Sequence, residues 1–126
     1  MVKETSIATV DELLALPDAD TVTEEMELAP GVRIVVGALS LLEHTRMRKE
    51  CNQGDTFDQE RWETLMLTRG IKEPTLTFEQ AEQLKKKCVA TIDEVYRVAL
   101  RLSGITPRGE IAEKAVQDAE ATFCQG

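Results

Sequence analysis

Three cysteines and one histidine are the residues of this 126-residue chain best suited to metal binding or nucleophilic catalysis. Cys51, Cys88 and Cys124 are widely separated and form no Cys-x-x-Cys pair, and His44 belongs to no His-Glu-x-x-His motif. Zinc sites and disulfide frameworks need closer or paired spacing. We therefore predict no metal site, and free thiols that suit a reducing cytoplasm. Cys88 falls within an apolar stripe and is expected in the core, whereas Cys51 and Cys124 lie near predicted helix ends, where they could be exposed.

Carboxylates are abundant, but their spacing does not predict a catalytic pair. The adjacent acids Asp11-Glu12, Glu24-Glu25 and Asp93-Glu94 diverge on a helix or alternate on a strand, whereas general acid–base catalysis needs buried, convergent groups. The sequence holds no glycine-rich phosphate loop, Walker lysine or Gly-x-Ser-x-Gly motif. We predict no catalytic residue and no cofactor site, and we expect a protein that is not an enzyme.

The composition favours one acidic globular domain over residues 1–126. Apolar residues make up 42% of the chain, and 15 basic against 23 acidic residues give a net charge of −8. Nucleic acids and anionic membranes both reward clustered positive charge, so neither is an expected partner. The first 20 residues hold no apolar run typical of a signal peptide, and no run is long enough to cross a membrane. We expect a cytoplasmic location.

Two basic clusters interrupt the acidic background: Arg46, Arg48 and Lys49 in one predicted helix, and residues 85–87, all lysine, in another. Helical spacing allows Glu82 to pair with Lys86 within the chain. Glu94 and Arg97 are spaced for a similar pair. The alternative is that the clusters form a docking surface for an acidic partner or a neighbouring copy, where such charges would steer binding more than hold it.

Residues 1–20 predict an N-terminal arm with one short helix. Thr9 is positioned to cap a helix over residues 10–16, whose first turn carries acids that the helix dipole favours. Pro17 ends this helix.

Residues 21–36 predict a β-hairpin, since an alternating segment at 21–28 is followed by turn residues and a β-branched run at 32–36. A three-residue loop at 29–31 would set apolar against apolar and acid against base, in the pairs Leu28–Val32, Met26–Ile34 and Glu27–Arg33. A two-residue loop would instead set Glu27 against Ile34, so the longer loop is preferred. An isolated hairpin is marginal in water, so its apolar face must pack on helices or on another chain.

Residues 40–104 predict a helical core. Ser40 and Glu43 form a capping-box pattern that opens a helix ending near Asn52. Thr56 is positioned to cap a second helix over 57–69, whose inward face is Trp62, Leu65 and Met66. A linker over 71–74 then leads to the strongest helical pattern of the chain. Its apolar stripe is Ala81, Leu84, Cys88, Ile92, Val95, Ala99 and Leu102. The stripe favours one helix over 78–103, with a break near residues 89–91 as the alternative.

A last helix is predicted over residues 106–123, with Pro107 in its first turn. Its apolar face is the candidate partner-binding site and consists of Ile111, Ala112, Ala115, Val116, Ala119 and Phe123. This helix either packs on the others or offers that face to another chain. The predicted fold class is mainly α (α+β), with an N-terminal β-hairpin followed by a bundle of four or five helices.

Three segments in this order resemble the family of phage tail assembly chaperones. The hairpin leads into Val36-Gly37-Ala38-Leu39-Ser40-Leu41-Leu42-Glu43, which is similar to the start of that family's conserved region. Gly70-Ile71-Lys72-Glu73-Pro74-Thr75-Leu76-Thr77 looks like its Gly-x-x-Glu-Pro joint, and Leu100-Arg101-Leu102-Ser103-Gly104 looks like its Leu-Ser-Gly helix end. The resemblance covers roughly residues 22–104.

The resemblance implies a non-enzymatic protein that coats the long helical tape measure protein, keeps it soluble, and brings tail tube subunits to it. It also implies self-association, a place in the host cytoplasm, and absence from the mature virion. Many members exist as a short form and a frameshifted long form, and this chain would match a short form. The alternative function is a small helical adaptor or regulator that docks another partner through its C-terminal helix.

Overall fold

The computed structural model describes residues 6–107 and 110–111. The fold is mixed α and β, about 51% helical and 21% strand. Its elements are α1 (Val10–Leu14), a 3-10 turn (Ala19–Thr21), β1 (Thr23–Ala29), β2 (Val32–Gly37), α2 (Leu41–Cys51), β3 (Asn52–Gln53), β4 (Thr56–Phe57), α3 (Gln59–Gly70), β5 (Ile71–Glu73), α4 (Phe78–Leu84) and α5 (Val89–Ser103). Helices dominate as predicted, but the strands amount to more than one hairpin.

Strands β1 and β2 form the predicted antiparallel pair, with Met26 opposite Ile34 and Glu27 opposite Arg33. The predicted three-residue loop and the Leu28–Val32 pair are wrong, because Ala29 faces Val32 across a two-residue turn. The register shifts between residues 27 and 29, so Leu28 is the extra residue of a β-bulge. The bulge explains how a two-residue turn is compatible with Glu27 opposite Arg33.

A third strand completes the sheet where the sequence predicted a linker over residues 71–74. Strand β5 runs antiparallel to β2, in the order β1-β2-β5, with Ile71 opposite Val36 and Glu73 opposite Val35. The sheet is close-packed at this edge, since a Cβ on Gly37 would lie 2.7 Å from Lys72 Cε. Three residues are too few to show strand periodicity, and β2 supplies the pairing that makes them a strand.

Helix α2 begins at the predicted capping box, in which the Glu43 amide donates to Ser40 Oγ over 3.1 Å. Helix α3 begins later than predicted. Asp58, not Thr56, is its N-cap and accepts from the Arg61 amide at 3.0 Å. Thr56 lies instead in the small β3–β4 hairpin, which the sequence analysis missed and which turns the chain between α2 and α3.

The predicted single helix over 78–103 is two helices, α4 and α5, separated at residues 85–88. The Lys87 amide donates to Leu84 O at 3.0 Å, which tightens the chain into a turn after α4. Cys88 is the N-cap of α5 and is exposed, so its predicted core position is wrong. The apolar spacing continues across the turn because both helices bury a face on the same body, and the stripe therefore hides the break.

The core lies between α3, α5 and the sheet. Trp62, Leu65 and Met66 form the inward face of α3, as predicted, and each is at most 4% exposed. Cys51 is fully buried at the end of α2, so the expectation that it could be exposed is wrong. Gly70 closes the α3–α5 contact, because a Cβ there would lie 2.9 Å from Ala99 Cβ.

The described part of the predicted C-terminal helix is not helical. The Thr106 amide donates to Glu110 O at 2.7 Å, and Ile111 forms an isolated antiparallel bridge with Ile105. Ile105 and Thr106 therefore pair with Ile111 and Glu110, and these described residues do not form the first turn of a helix. The rest of the predicted helix, 112–123, lies outside the described residues.

Candidate functional site

The side chains singled out for chemistry do not converge in the described part of the chain. Among residues 6–107 and 110–111, no group of three or more His, Cys, Asp or Glu side chains is placed to hold a metal ion. Burial raises the pKa of the Cys51 thiol, and the nearby Asp58 adds to the effect. A thiol with a raised pKa is a poor nucleophile at neutral pH. His44 is partly exposed, as predicted, and meets Trp62 edge-on with ring centroids 5.8 Å apart.

Three of the adjacent acids, Glu24, Glu25 and Asp93, pair with arginines at the surface, whereas Asp11, Glu12 and Glu94 form no ion pair among the described residues. Glu24 lies 2.7 Å from Arg101, and Asp93 lies 2.6 Å from Arg97. The predicted Glu94–Arg97 pair is therefore replaced by an i,i+4 pair one residue earlier. The predicted pairing of Glu82 with Lys86 is likewise absent from the ion pairs of the described residues. These contacts link surface elements, and exposed pairs of this kind contribute little stability.

The arm, defined here as residues 6–17, has every residue exposed. Its helix α1 ends two residues before the predicted position and buries no residue. The predicted cap is confirmed as a full capping box, since the Glu12 amide donates to Thr9 Oγ1 at 3.1 Å and the Thr9 amide donates to Glu12 Oε1 at 2.9 Å. Its apolar side chains lie in solvent and are Ile7, Val10, Leu13, Leu14 and Leu16, from 57% to 97% exposed. Clustered exposed apolar residues of this kind mark a binding surface.

The arm leaves the body at a fixed point beside the sheet. The Thr21 amide donates to Asp18 O at 2.9 Å, and the Ala38 amide donates to Val22 O at 3.0 Å. These bonds hold the turn that follows the arm against the end of β2. The arm is thus joined to the body by an ordered turn.

A cleft lies between α3, the α4–α5 turn and the start of α5. We call it the α3–α5 cleft. Its volume is about 270 Å³, and its lining is Glu63, Leu67, Lys85, Lys87, Val89, Ile92, Asp93 and Tyr96. Val89 is 79% exposed at its edge. The lining combines apolar side chains with lysines from the turn that separates α4 from α5, so the helix break creates the cleft.

Lys85 and Tyr96 are held in fixed positions in the cleft. Lys85 Nζ donates to Glu60 O and to Thr64 Oγ1, each at 3.0 Å. Tyr96 OH donates to Pro107 O at 2.7 Å, which ties the chain after α5 to the cleft. Burial raises the pKa of Tyr96 to about 12, so this phenol remains a hydrogen-bond donor at neutral pH. These hydrogen bonds fix the positions of two of the side chains that line the cleft.

A second exposed apolar patch lies at the first turn of α2. Leu41 is 71% exposed and Leu42 is 57% exposed. We call these two residues the α2 patch. The basic residues of α2 follow it, and one of them, Arg48, lies over the Phe57 ring with its guanidinium carbon 5.5 Å from the centroid. The α2 patch and the arm belong to different helices, and both expose apolar side chains.

The predicted partner-binding face cannot be assembled from the described residues. Ile111 is 52% exposed and lies in a β-bridge. The other residues of that face, Ala112, Ala115, Val116, Ala119 and Phe123, lie outside the described residues. Sequence reasoning identified the arm helix and the lysine cluster, but it missed that no residue of the arm is buried and that a cleft opens beside the lysines. The available signal was the apolar Val10, Leu13 and Leu14 face, at helical spacing in a segment too short to fold alone.

No family model, curated protein or solved structure matches the chain. No described helix has the length and apolar character needed to cross a membrane.

Proposed function

We propose that the chain is a phage tail assembly chaperone that binds and solubilises the tape measure protein and helps recruit tail tube subunits during tail assembly. It would act in the host cytoplasm, associate with further copies of itself, and be absent from the mature virion. The observation that carries the proposal is the presence of two exposed apolar surfaces, the arm and the α2 patch, on an acidic body. A protein that coats a filament needs one surface for the filament and another for its neighbours.

The positions of the three resembling segments support this proposal. Val36 of the first segment pairs with Ile71 of the second. The Leu39 amide of the first donates to Ser103 Oγ of the third at 2.9 Å. Segments that are far apart in sequence therefore meet at one joint of the fold, between the sheet, α2 and the end of α5. The three segments that carry the resemblance therefore form one structural unit.

The energetics fit a protein that binds repeatedly and then leaves. Burying one exposed leucine or valine contributes about 1.5–3 kcal/mol, and much of the total from a few such residues is offset by the entropy lost on association. Single contacts are then weak, while many copies along one filament hold it collectively. The net charge of −8 keeps crowded copies soluble.

Co-expression with a tape measure protein that is insoluble alone tests the proposal. We expect the full chain to move the tape measure protein into the soluble fraction and to copurify with it. The double variant Leu41→Ser, Leu42→Ser removes the apolar α2 patch and should leave more of the partner in the pellet. The matched control Leu41→Met, Leu42→Met keeps an apolar surface of similar size and should retain activity.

A wild-type chain that leaves the tape measure protein in the pellet would contradict the proposal. If that chain were also strictly monomeric, the adaptor function would become the better explanation. Equal loss in the serine and methionine variants would show that folding, not the apolar surface, had been damaged.

A further inference from the structure

We infer that the arm of one copy docks in the α3–α5 cleft of a second copy, so that copies join head to tail in an open chain. This inference specifies the contact by which copies associate, and its biological role rests on the proposed function. Its test uses the purified protein alone, so it can succeed or fail independently of tape measure binding.

The arm and the cleft are complementary in shape and polarity. Val10, Leu13 and Leu14 follow the i, i+3, i+4 spacing of one helix face, and all are exposed. The cleft offers an apolar lining in Leu67 and Ile92. Its volume of about 270 Å³ is large enough to take apolar side chains of the arm.

The charges at the edges of the two surfaces are also complementary. The first turn of α1 carries Asp11 and Glu12. Lys87 lines the cleft and forms no ion pair within the described residues. The acids of the cleft already face cations, since Asp93 pairs with Arg97 and Glu63 lies 4.0 Å from Lys85. An acidic amphipathic helix therefore meets a positive edge.

The position of the arm favours a second copy over the same chain. Glu24 contacts Arg101 and the Leu39 amide contacts Ser103, so the root of the arm lies at the C-terminal end of α5. The cleft lies at the N-terminal end, around Val89 and Ile92. Along α5, Ile92 of the cleft lies about 16 Å from Ser103, and every residue of the arm is exposed, so the arm does not occupy the cleft of its own chain. Two complementary surfaces at opposite ends of one molecule generate a heterologous contact, which extends into a chain.

Sedimentation velocity over a range of concentrations tests the inference. We expect wild-type oligomers that grow with concentration. The arm variant Leu13→Asp, Leu14→Asp and the cleft variant Val89→Asp should each weaken association at least about tenfold, because each places an unpaired charge in an apolar contact. Ala90→Asp is the matched control for the cleft variant, because Ala90 is also exposed in the first turn of α5 but does not line the cleft. The helix dipole favours an acid at both positions, and the control should associate as the wild type does.

Mixing the two variants gives the decisive readout. The cleft variant keeps an intact arm and the arm variant keeps an intact cleft, so the equimolar mixture should form a heterodimer that grows no further. A monomeric wild type, or a cleft variant that still forms large oligomers, would overturn the inference. Oligomers that survive both variants but disappear when residues 112–126 are removed would overturn it in favour of the C-terminal segment as the contact.

A charge exchange provides a smaller, independent check. Lys87→Glu and Asp11→Lys should each weaken association by about fivefold or less, and more so at low salt, as expected for a pair at an interface edge. Combining the two substitutions in one chain should restore most of the association. An additive loss in the double variant would show that the acidic end of the arm does not meet this edge of the cleft.

Discussion

Helices α1 and α2 have the same N-terminal cap but differ in how far their side chains are buried. Each starts with a capping box, formed by Thr9 and Glu12 in α1 and by Ser40 and Glu43 in α2. Helix α2 buries Met47 and Cys51, whereas α1 buries no residue. A capping box therefore fixes where a helix begins, but burial decides whether the helix belongs to the fold. An apolar helix that is capped and not buried is a surface available to a partner.

Truncating an apolar side chain should change the free energy of unfolding far more in the body than in the arm. Trp62 is fully buried, so Trp62→Ala should lower the free energy of unfolding by about 3–5 kcal/mol. Leu14 is 78% exposed, so Leu14→Ala should change it by less than about 0.5 kcal/mol. Urea unfolding followed by circular dichroism measures both. A loss above about 1 kcal/mol for Leu14→Ala would show that the arm packs on the body.

The next contrast concerns packing inside the body. Gly70→Val should lower the free energy of unfolding by about 1–3 kcal/mol, because a Cβ at this position would lie 2.9 Å from Ala99 Cβ. Adding Ala99→Gly removes that methyl group, so part of the loss caused by valine should return. A double-mutant cycle isolates the coupling between the two positions. Strictly additive losses would mean that α3 and α5 do not make this close contact.

The two capping boxes should differ in their effect on global stability. Ser40→Ala should lower the free energy of unfolding by about 1 kcal/mol, because α2 is part of the cooperative core. Thr9→Ala removes the same kind of cap but should leave global stability unchanged, because the arm opens without unfolding the body. The same urea titrations compare the two variants. Equal losses would contradict the separation of arm and body.

The smallest expected effect is a pH dependence from Tyr96. Below pH 10 both folded and unfolded chains keep the phenol protonated, and its contribution to stability is complete. The raised pKa of about 12 in the folded chain means that this contribution is lost as the pH rises from about 10 towards 12. Because Tyr96 is half-buried and water screens it, the loss should be below about 1 kcal/mol. Tyr96→Phe should remove this part of the pH dependence, and an unchanged profile would contradict it.

The sequence predicted what is encoded locally. Capping boxes, hairpin pairing and the inward face of α3 depend on a few neighbouring residues, and the structure bears out the Thr9 and Ser40 caps, the Met26–Ile34 pair and the burial of Trp62. It did not predict β5, because that strand exists only through its pairing with β2, which is distant in sequence. The sequence analysis also predicted a three-residue loop where the hairpin has a two-residue turn. The bulge at Leu28 keeps Glu27 opposite Arg33 despite the shorter turn.

The candidate site was harder to predict, because the arm can serve as a binding surface only if the rest of the chain leaves its apolar side chains exposed. The arm sequence indicates an amphipathic helix, but only the structure leaves its apolar face without a contact. The lysines of residues 85–87 were considered as a docking surface, yet the cleft beside them requires the turn that ends α4. An unbroken apolar stripe concealed that turn.

Amide hydrogen exchange tests the central claim, that the arm is completed by a partner and not by its own fold. In dilute, monomeric protein, the amides of residues 10–14 should exchange fast while those around Val95 in α5 exchange slowly. In concentrated, associated protein, or with copies assembled on the tape measure protein, the arm should become protected, while the amides around Ala99 in the second half of α5 should stay unchanged. An arm that is already as protected as α5 in the dilute monomer would contradict the account.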